Sequence, residues 1–201
     1  MSIKEMIAEV MESEINSIIG VKENVDDAYV QAVEKILNCK GKVVFLGVGK
    51  SGHIGKKLAA TFASTGTPAF FVHATEAVHG DLGMIEKDDI VIAISNSGET
   101  KELLNTLPSI EIIGATLISM TGNKNSTLAK KSEIAIEVHI DREADQHNLA
   151  PTSSSTAALV VGDALAVTVS RIKGFEKKEF GLYHPGGSLG KQLLENGFIE
   201  K

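Results

Sequence analysis

The sequence predicts an α/β fold: a five-stranded parallel sheet, doubly wound in the Rossmann or flavodoxin manner, with helices on both faces. Three observations carry this prediction. Five short runs rich in Val and Ile alternate with segments of helical period. These runs are apolar throughout rather than at every second residue, as strands buried on both faces are. Loops rich in Gly, Ser and His follow several of the runs directly, which is where open parallel sheets place their ligands.

In chain order, residues 3–19 set Ile3, Met6, Ile7, Val10, Ile15, Ile18 and Ile19 near one helical face, with Gly20 as the expected stop. A second helix is expected at 25–39. Two helices before the first strand exceed what one small core requires. Either one of them packs on a second subunit or both pack within the chain. Strands follow at 42–46, 69–72, 89–94, 115–120 and 134–138, and helices at 52–65, 100–113, 125–131, 154–173 and 187–195. Gly66 and Pro68 close the first of these helices, and Gly114 the second. No linker or repeat interrupts the pattern, so residues 1–201 read as one domain.

Composition narrows the partners. The chain is 43% apolar and 23% charged, with net charge −6 and 4% aromatic residues. An acidic, aromatic-poor chain suits neither nucleic acid nor an anionic membrane. The apolar runs are too short to span a bilayer. The N-terminus carries Glu5, Glu9, Glu12 and Glu14, unlike a signal peptide, and the lone Cys39 forms no internal disulfide. A cytoplasmic location is expected.

Five loops carry the candidate chemistry. Gly47-Val48-Gly49-Lys50-Ser51-Gly52 opens a helix after the first strand with the G-x-G-x-x-G spacing. A Walker A loop would need Gly where Val44 stands, and a dinucleotide site would need an acid where His73 stands. Lys50 instead puts a cation at the mouth of the loop. Ser95-Asn96-Ser97-Gly98-Glu99-Thr100 follows the third strand, and its three hydroxyls exceed what a helix cap uses. Ser51, Ser95, Ser97 and Thr100, with the Gly49 turn, are therefore read as a phosphate cradle. The Glu76-to-Gly83 loop brings His79 near two acids, and a metal there is conceivable through His79 with Glu76 or Asp81, although no three-ligand spacing is clear. Asp141 to His147 forms a charge run at a strand end, leading to five consecutive hydroxyl residues at 152–156. His184-Pro185-Gly186-Gly187 holds an imidazole in a rigid turn.

Taken together, GVGKSGHIGKKLAATFASTGTP, EAVHGDLGMI, VIAISNSGET, LAPTSSSTAALVVGDALAV and YHPGGSLGK resemble the arabinose-5-phosphate isomerases of the sugar isomerase (SIS) domain family over roughly residues 40–195. The resemblance implies homodimers or homotetramers whose sites lie between subunits. It implies interconversion of ribulose 5-phosphate and arabinose 5-phosphate without an organic cofactor. It places family site residues at Lys50, Glu102, Glu143 and His184, with His79 and His53 nearby. Many members carry a pair of CBS modules, which are not expected within these 201 residues, and the family's Cys-Pro-containing stretch is replaced here by Ala144-Asp145-Gln146-His147-Asn148. The chemistry expected is proton transfer through an enediol. Glu102 or Glu143 serves as base, Lys50 steadies the oxyanion or a hydroxyl, and His184 shuttles protons at oxygen or helps open the sugar ring. Alternatives are a phosphosugar sensor, or an isomerase of a six- or seven-carbon sugar phosphate.

Overall fold

The computed structural model describes residues 1–197. Its sheet has five parallel strands, β1 (Val43–Gly47), β2 (Ala69–His73), β3 (Ile90–Ile94), β4 (Thr116–Thr121) and β5 (Ile134–Glu137), in the order β2-β1-β3-β4-β5. The register aligns Val43 with Ala69 on one side and with Ile90 on the other, then Ile90 with Thr116 and Ile118 with Ile134. β1 and β3 are buried along their whole length, as their unbroken apolar runs require.

Alternate side chains of each strand enter two separate cores. Val43, Phe45, Ile92, Ile118 and Ile136 face one layer of helices, and Val44, Leu46, Val91 and Leu117 face the other. The first layer holds α1 (Ile3–Glu23), α2 (Asp27–Asn38), α3 (Gly49–Ser64) and the long helix at Ser153–Ile172. The second layer holds α4 (Ala74–Ala77), α5 (Lys101–Leu104), α6 (Leu107–Ile113) and α7 (Thr127–Lys131). The Ser153–Ile172 helix is α8, followed by α9 (Lys177–Tyr183) and α10 (Ser188–Glu195).

α8 is long and apolar enough to cross a membrane by length and composition. Here it is the core helix of the first layer, packed against α1, α2 and α3. Its Gly162 is where α3 approaches: a Cβ there would overlap Leu58, which is fully buried. Phe62 of α3 meets Phe45 of β1 edge to face at 5.2 Å, closing the same core.

The sequence reading needs four corrections. α1 runs through Gly20 to Glu23, because nothing crowds Gly20 and Asn24 caps the end by donating from its Nδ2 to the Gly20 carbonyl at 2.8 Å. α3 starts at Gly49 rather than at residue 52, so most of the glycine loop is already helix. The expected helix at 100–113 breaks into α5 and α6. Pro108 lies in the first turn of α6 and has no N–H for a continuous ladder, so α5 stops at Leu104. α9 was not expected, since Lys177 to Tyr183 lacks a clear apolar period and carries Gly181. Asp89 is also buried, and its carboxylate accepts from the Lys42 N–H at 2.7 Å and the Glu86 N–H at 2.9 Å, which ties the starts of β1 and β3 together.

The Gly162 contact yields a test. Gly162→Ala is expected to lower stability by about 1–2 kcal/mol in urea denaturation, overpacking against Leu58 outweighing the roughly 1 kcal/mol gain in helix propensity.

Candidate active site

The strand order reverses between β1 and β3, so the loops after these two strands diverge and leave a cleft at their carboxyl ends. A cavity of about 400 Å³ lies there, lined by Lys50, Ser51, Asn96, His139, Arg142, Glu143, Asn148 and Ser154 among others.

The first wall is the β1–α3 turn. Gly47 has no room for a side chain, since a Cβ would sit 3.1 Å from the Gly52 nitrogen, and Gly49 takes φ +57°. Val48 provides no side-chain cap, which leaves the first amides of α3 open at the strand end. Lys50 is exposed and Ser51 half-buried, and both line the cavity. Lys50 makes no ion pair among the described residues.

The second wall is the loop after β3. Ser95 is buried, and its hydroxyl lies 2.8 Å from the Thr100 hydroxyl and accepts from the Gly98 N–H at 3.0 Å. Ser97 Oγ accepts from the Glu99 N–H at 3.2 Å. Glu99 Oε1 in turn accepts from the Thr127 N–H at 2.7 Å, which fastens the loop to α7 and holds the Glu99 carboxyl below its usual range. Gly98 has φ +67° and lies against Ser126, so a side chain there would both strain and collide. The surplus hydroxyls seen in the sequence thus organise the loop. Asn96 is the loop residue that lines the cavity.

The third wall is the segment from β5 to α8. Glu143 is buried at 7% exposure, and its carboxylate caps α8. Oε2 accepts from the Thr152 N–H at 2.8 Å, the Thr152 hydroxyl at 3.2 Å and the Ser154 N–H at 3.1 Å, while among the described residues Oε1 accepts only from the Ser154 hydroxyl. A carboxylate at a helix N-terminus satisfies orphan donors and complements the helix dipole. Asp145 pins the loop between: Oδ2 accepts from the Ala150 and Leu149 N–H groups at 2.7 Å each, and Oδ1 from the His147 N–H at 2.9 Å. These bonds, Ala150 first, hold its carboxyl below the usual aspartate range.

Lys50, Ser51 and Glu143 therefore come together, with Gly49 shaping the turn beside them. The other expected residues do not line this cavity within one chain. Glu102 is exposed on α5, and His79 is exposed after α4. His184 ends α9, stacked on Phe180 at 4.0 Å with Nδ1 2.8 Å from the Phe180 carbonyl. α9 and α10 pack chiefly on each other. Among the described residues, no three His, Cys, Asp or Glu side chains gather as a metal site would require. The sequence reading passed over Asn96, His139, Arg142 and Asn148. For His139, its place one residue beyond the apolar run of β5 was the available signal.

A SIS domain profile matches residues 36–168. The chain is 53% identical over 181 residues to arabinose 5-phosphate isomerase KdsD of Pseudomonas aeruginosa, covering 90% of this chain and 56% of that protein. It is 50% identical over 186 residues to KdsD of Escherichia coli K12, covering 92% and 57%. The chain thus spans little more than half the length of these relatives. Among solved structures, E. coli CFT073 c3406 in complex with arabinose 5-phosphate superposes with a TM-score of 0.89 at 51% identity, covering 92% of this chain and all of that one.

The capping geometry predicts that Glu143→Ala costs about 2–3 kcal/mol in a denaturant titration, because buried donors at the start of α8 lose their acceptor. Wild-type stability in that variant would remove the capping role.

Proposed function

The chain belongs to the SIS domain family, and from that premise we propose that it is an aldose–ketose isomerase interconverting D-ribulose 5-phosphate and D-arabinose 5-phosphate. The observation that carries this reading is the convergence of Lys50, Ser51 and Glu143 on one cavity at the switch point, in a chain half identical to a protein solved with arabinose 5-phosphate.

The reaction moves one proton between adjacent carbons and one between their oxygens. A base takes a proton from C1 of the ketose, and the electron pair forms the C1–C2 double bond as the C2 carbonyl oxygen gains a proton. The enediol then takes a proton at C2 while the C1 hydroxyl gives one up, leaving the aldehyde. Glu143 Oε1 suits the first step, since among the described residues it has one partner, the hydroxyl of Ser154, which also lines the cavity, whereas Oε2 is committed to three donors. The ammonium of Lys50 steadies the developing oxyanion. The amides opening α3 and the loop shaped by Ser95, Ser97 and Thr100 receive the phosphate and so fix the distance to the reacting carbons.

In this reading a second copy completes the acid–base set with His184, and with Glu102 and His79 from their separate positions. Support comes from what the single chain leaves uncovered. Residues 1–12 are all exposed, with Ile3, Met6, Ile7, Val10 and Met11 of α1 each keeping 43–76% of their surface. Toward the C-terminal end of α1, a groove of about 670 Å³ between α1, α2 and α8 is also apolar, lined by Val25, Tyr29, Val30, Val33 and Val160. We read the protein as a cytoplasmic homo-oligomer assembled through this face.

Three measurements test the reading. Protein incubated with ribulose 5-phosphate in deuterated water is expected to give arabinose 5-phosphate deuterated at C2 by NMR. Glu143→Gln should lose about 10²–10⁴-fold in kcat while calorimetric binding of the sugar phosphate survives. No turnover in the wild type despite binding would redirect the reading to a larger sugar phosphate or a sensor. In light scattering, the double variant Ile7→Glu/Met11→Glu should dissociate and lose turnover together, and an intact oligomer would place the interface elsewhere.

A further inference from the structure

We infer that Asn148 is a specificity-determining residue of this cavity, its side-chain amide held by the main chain of Glu143 so that it presents an N–H donor to an oxygen of the sugar. The inference rests on the phosphosugar reading above. Asn148 has φ +56° and is the one non-glycine among the described residues with positive φ. Asn tolerates that region better than other side chains. The main chain is kept there by Asp145, whose carbonyl accepts the Asn148 N–H at 3.0 Å and whose carboxylate accepts three further amides around the turn.

The side chain is exposed and oriented by one hydrogen bond. Asn148 Oδ1 accepts from the Glu143 N–H at 2.6 Å. A backbone N–H can only donate, so the oxygen of the amide must be the atom on that side, and the two orientations of the amide are not equivalent. The Nδ2 group is left with no hydrogen-bond partner among the described residues, on a residue that lines the cavity beside Lys50, Ser51 and Glu143. A neutral amide donor of set direction matches a hydroxyl or carbonyl oxygen of the sugar. The phosphate has the cation and the open amides of the α3 turn. One residue thereby positions the proposed base through Oδ1 and reads the substrate through Nδ2.

Two variants separate these roles from folding. Asn148→Asp keeps an acceptor for the Glu143 N–H but replaces the donor. Asn148→Gly keeps the backbone conformation and removes the side chain. Asn148→Asp is expected to melt within about 2 °C of wild type and Asn148→Gly, which leaves the Glu143 N–H without its acceptor, several degrees lower, with KM for the sugar phosphate raised about tenfold or more in both. Inorganic phosphate is expected to inhibit wild type and both variants alike. The discriminating measurement is a panel of monodeoxy analogues. One analogue should lose about tenfold in kcat/KM against wild type and lose nothing further against Asn148→Asp. Wild-type kcat/KM in both variants would overturn the inference, as would a loss equal across every analogue. If wild type turns over no sugar phosphate, the isomerase reading fails by itself. Calorimetry of the same analogues against wild type and Asn148→Asp then decides the amide's role, equal affinities counting against it.

Discussion

A parallel sheet has no wet face, and most of this molecule follows from that. With β1 and β3 buried along their full length, every strand must be covered on both sides, and two helical layers supply the cover. Polar chemistry is thereby confined to the strand ends. The order β2-β1-β3-β4-β5 then decides where at those ends, because the β1 and β3 loops part company at the reversal. The glycines follow from the same confinement: Gly47 lets β1 turn into α3 against its own backbone, and Gly98 lets the β3 loop lie on Ser126.

Cover and chemistry meet in Glu143. α8 packs on α1, α2 and α3 and opens with Ser153 and Ser154 buried, so the donors of its first turn need an acceptor. The same carboxylate that answers this need forms a wall of the cavity. The division of labour is within one functional group, three donors on Oε2 and one rotatable donor on Oε1. A residue in this position resists replacement for two unrelated reasons, and measurements of activity and of stability see different ones.

How much was legible in the sequence depended on the range of the interaction involved. Strands of continuous Val and Ile, and glycines forced by local turns, are short-range signals, and the sheet was readable almost residue by residue. The break at Pro108 is equally local, yet the apolar spacing on either side of it bridges the gap and hides it. Gly20 misled in the other direction, since a glycine ends a helix only where the chain must turn, and here α1 simply continues. Within the site, Lys50 was legible as a cation in the loop after β1, whereas the charge run beyond β5 offered several carboxylates and only the family resemblance picked out Glu143. The pairing of Ser95 with Thr100, the burial of Asp89 and the left-handed backbone of Asn148 were not legible, because each depends on a partner chosen by the folded chain. The scattered positions of Glu102, His79 and His184 show a further limit: order along a sequence does not say whether two residues meet within one chain.

The first half of α1 has one more consequence. Its exposed residues are held as helix mainly by their own ladder and by the Ser2–Glu5 capping box, with little tertiary burial to add to them. Short stretches of helix are marginal in water on local terms alone. Ordering of the segment is therefore linked by mass action to whatever surface covers it, and, where that surface is a second copy, the stability of the chain becomes a function of its own concentration. Dilution then acts on this protein as a mild denaturant of one particular end.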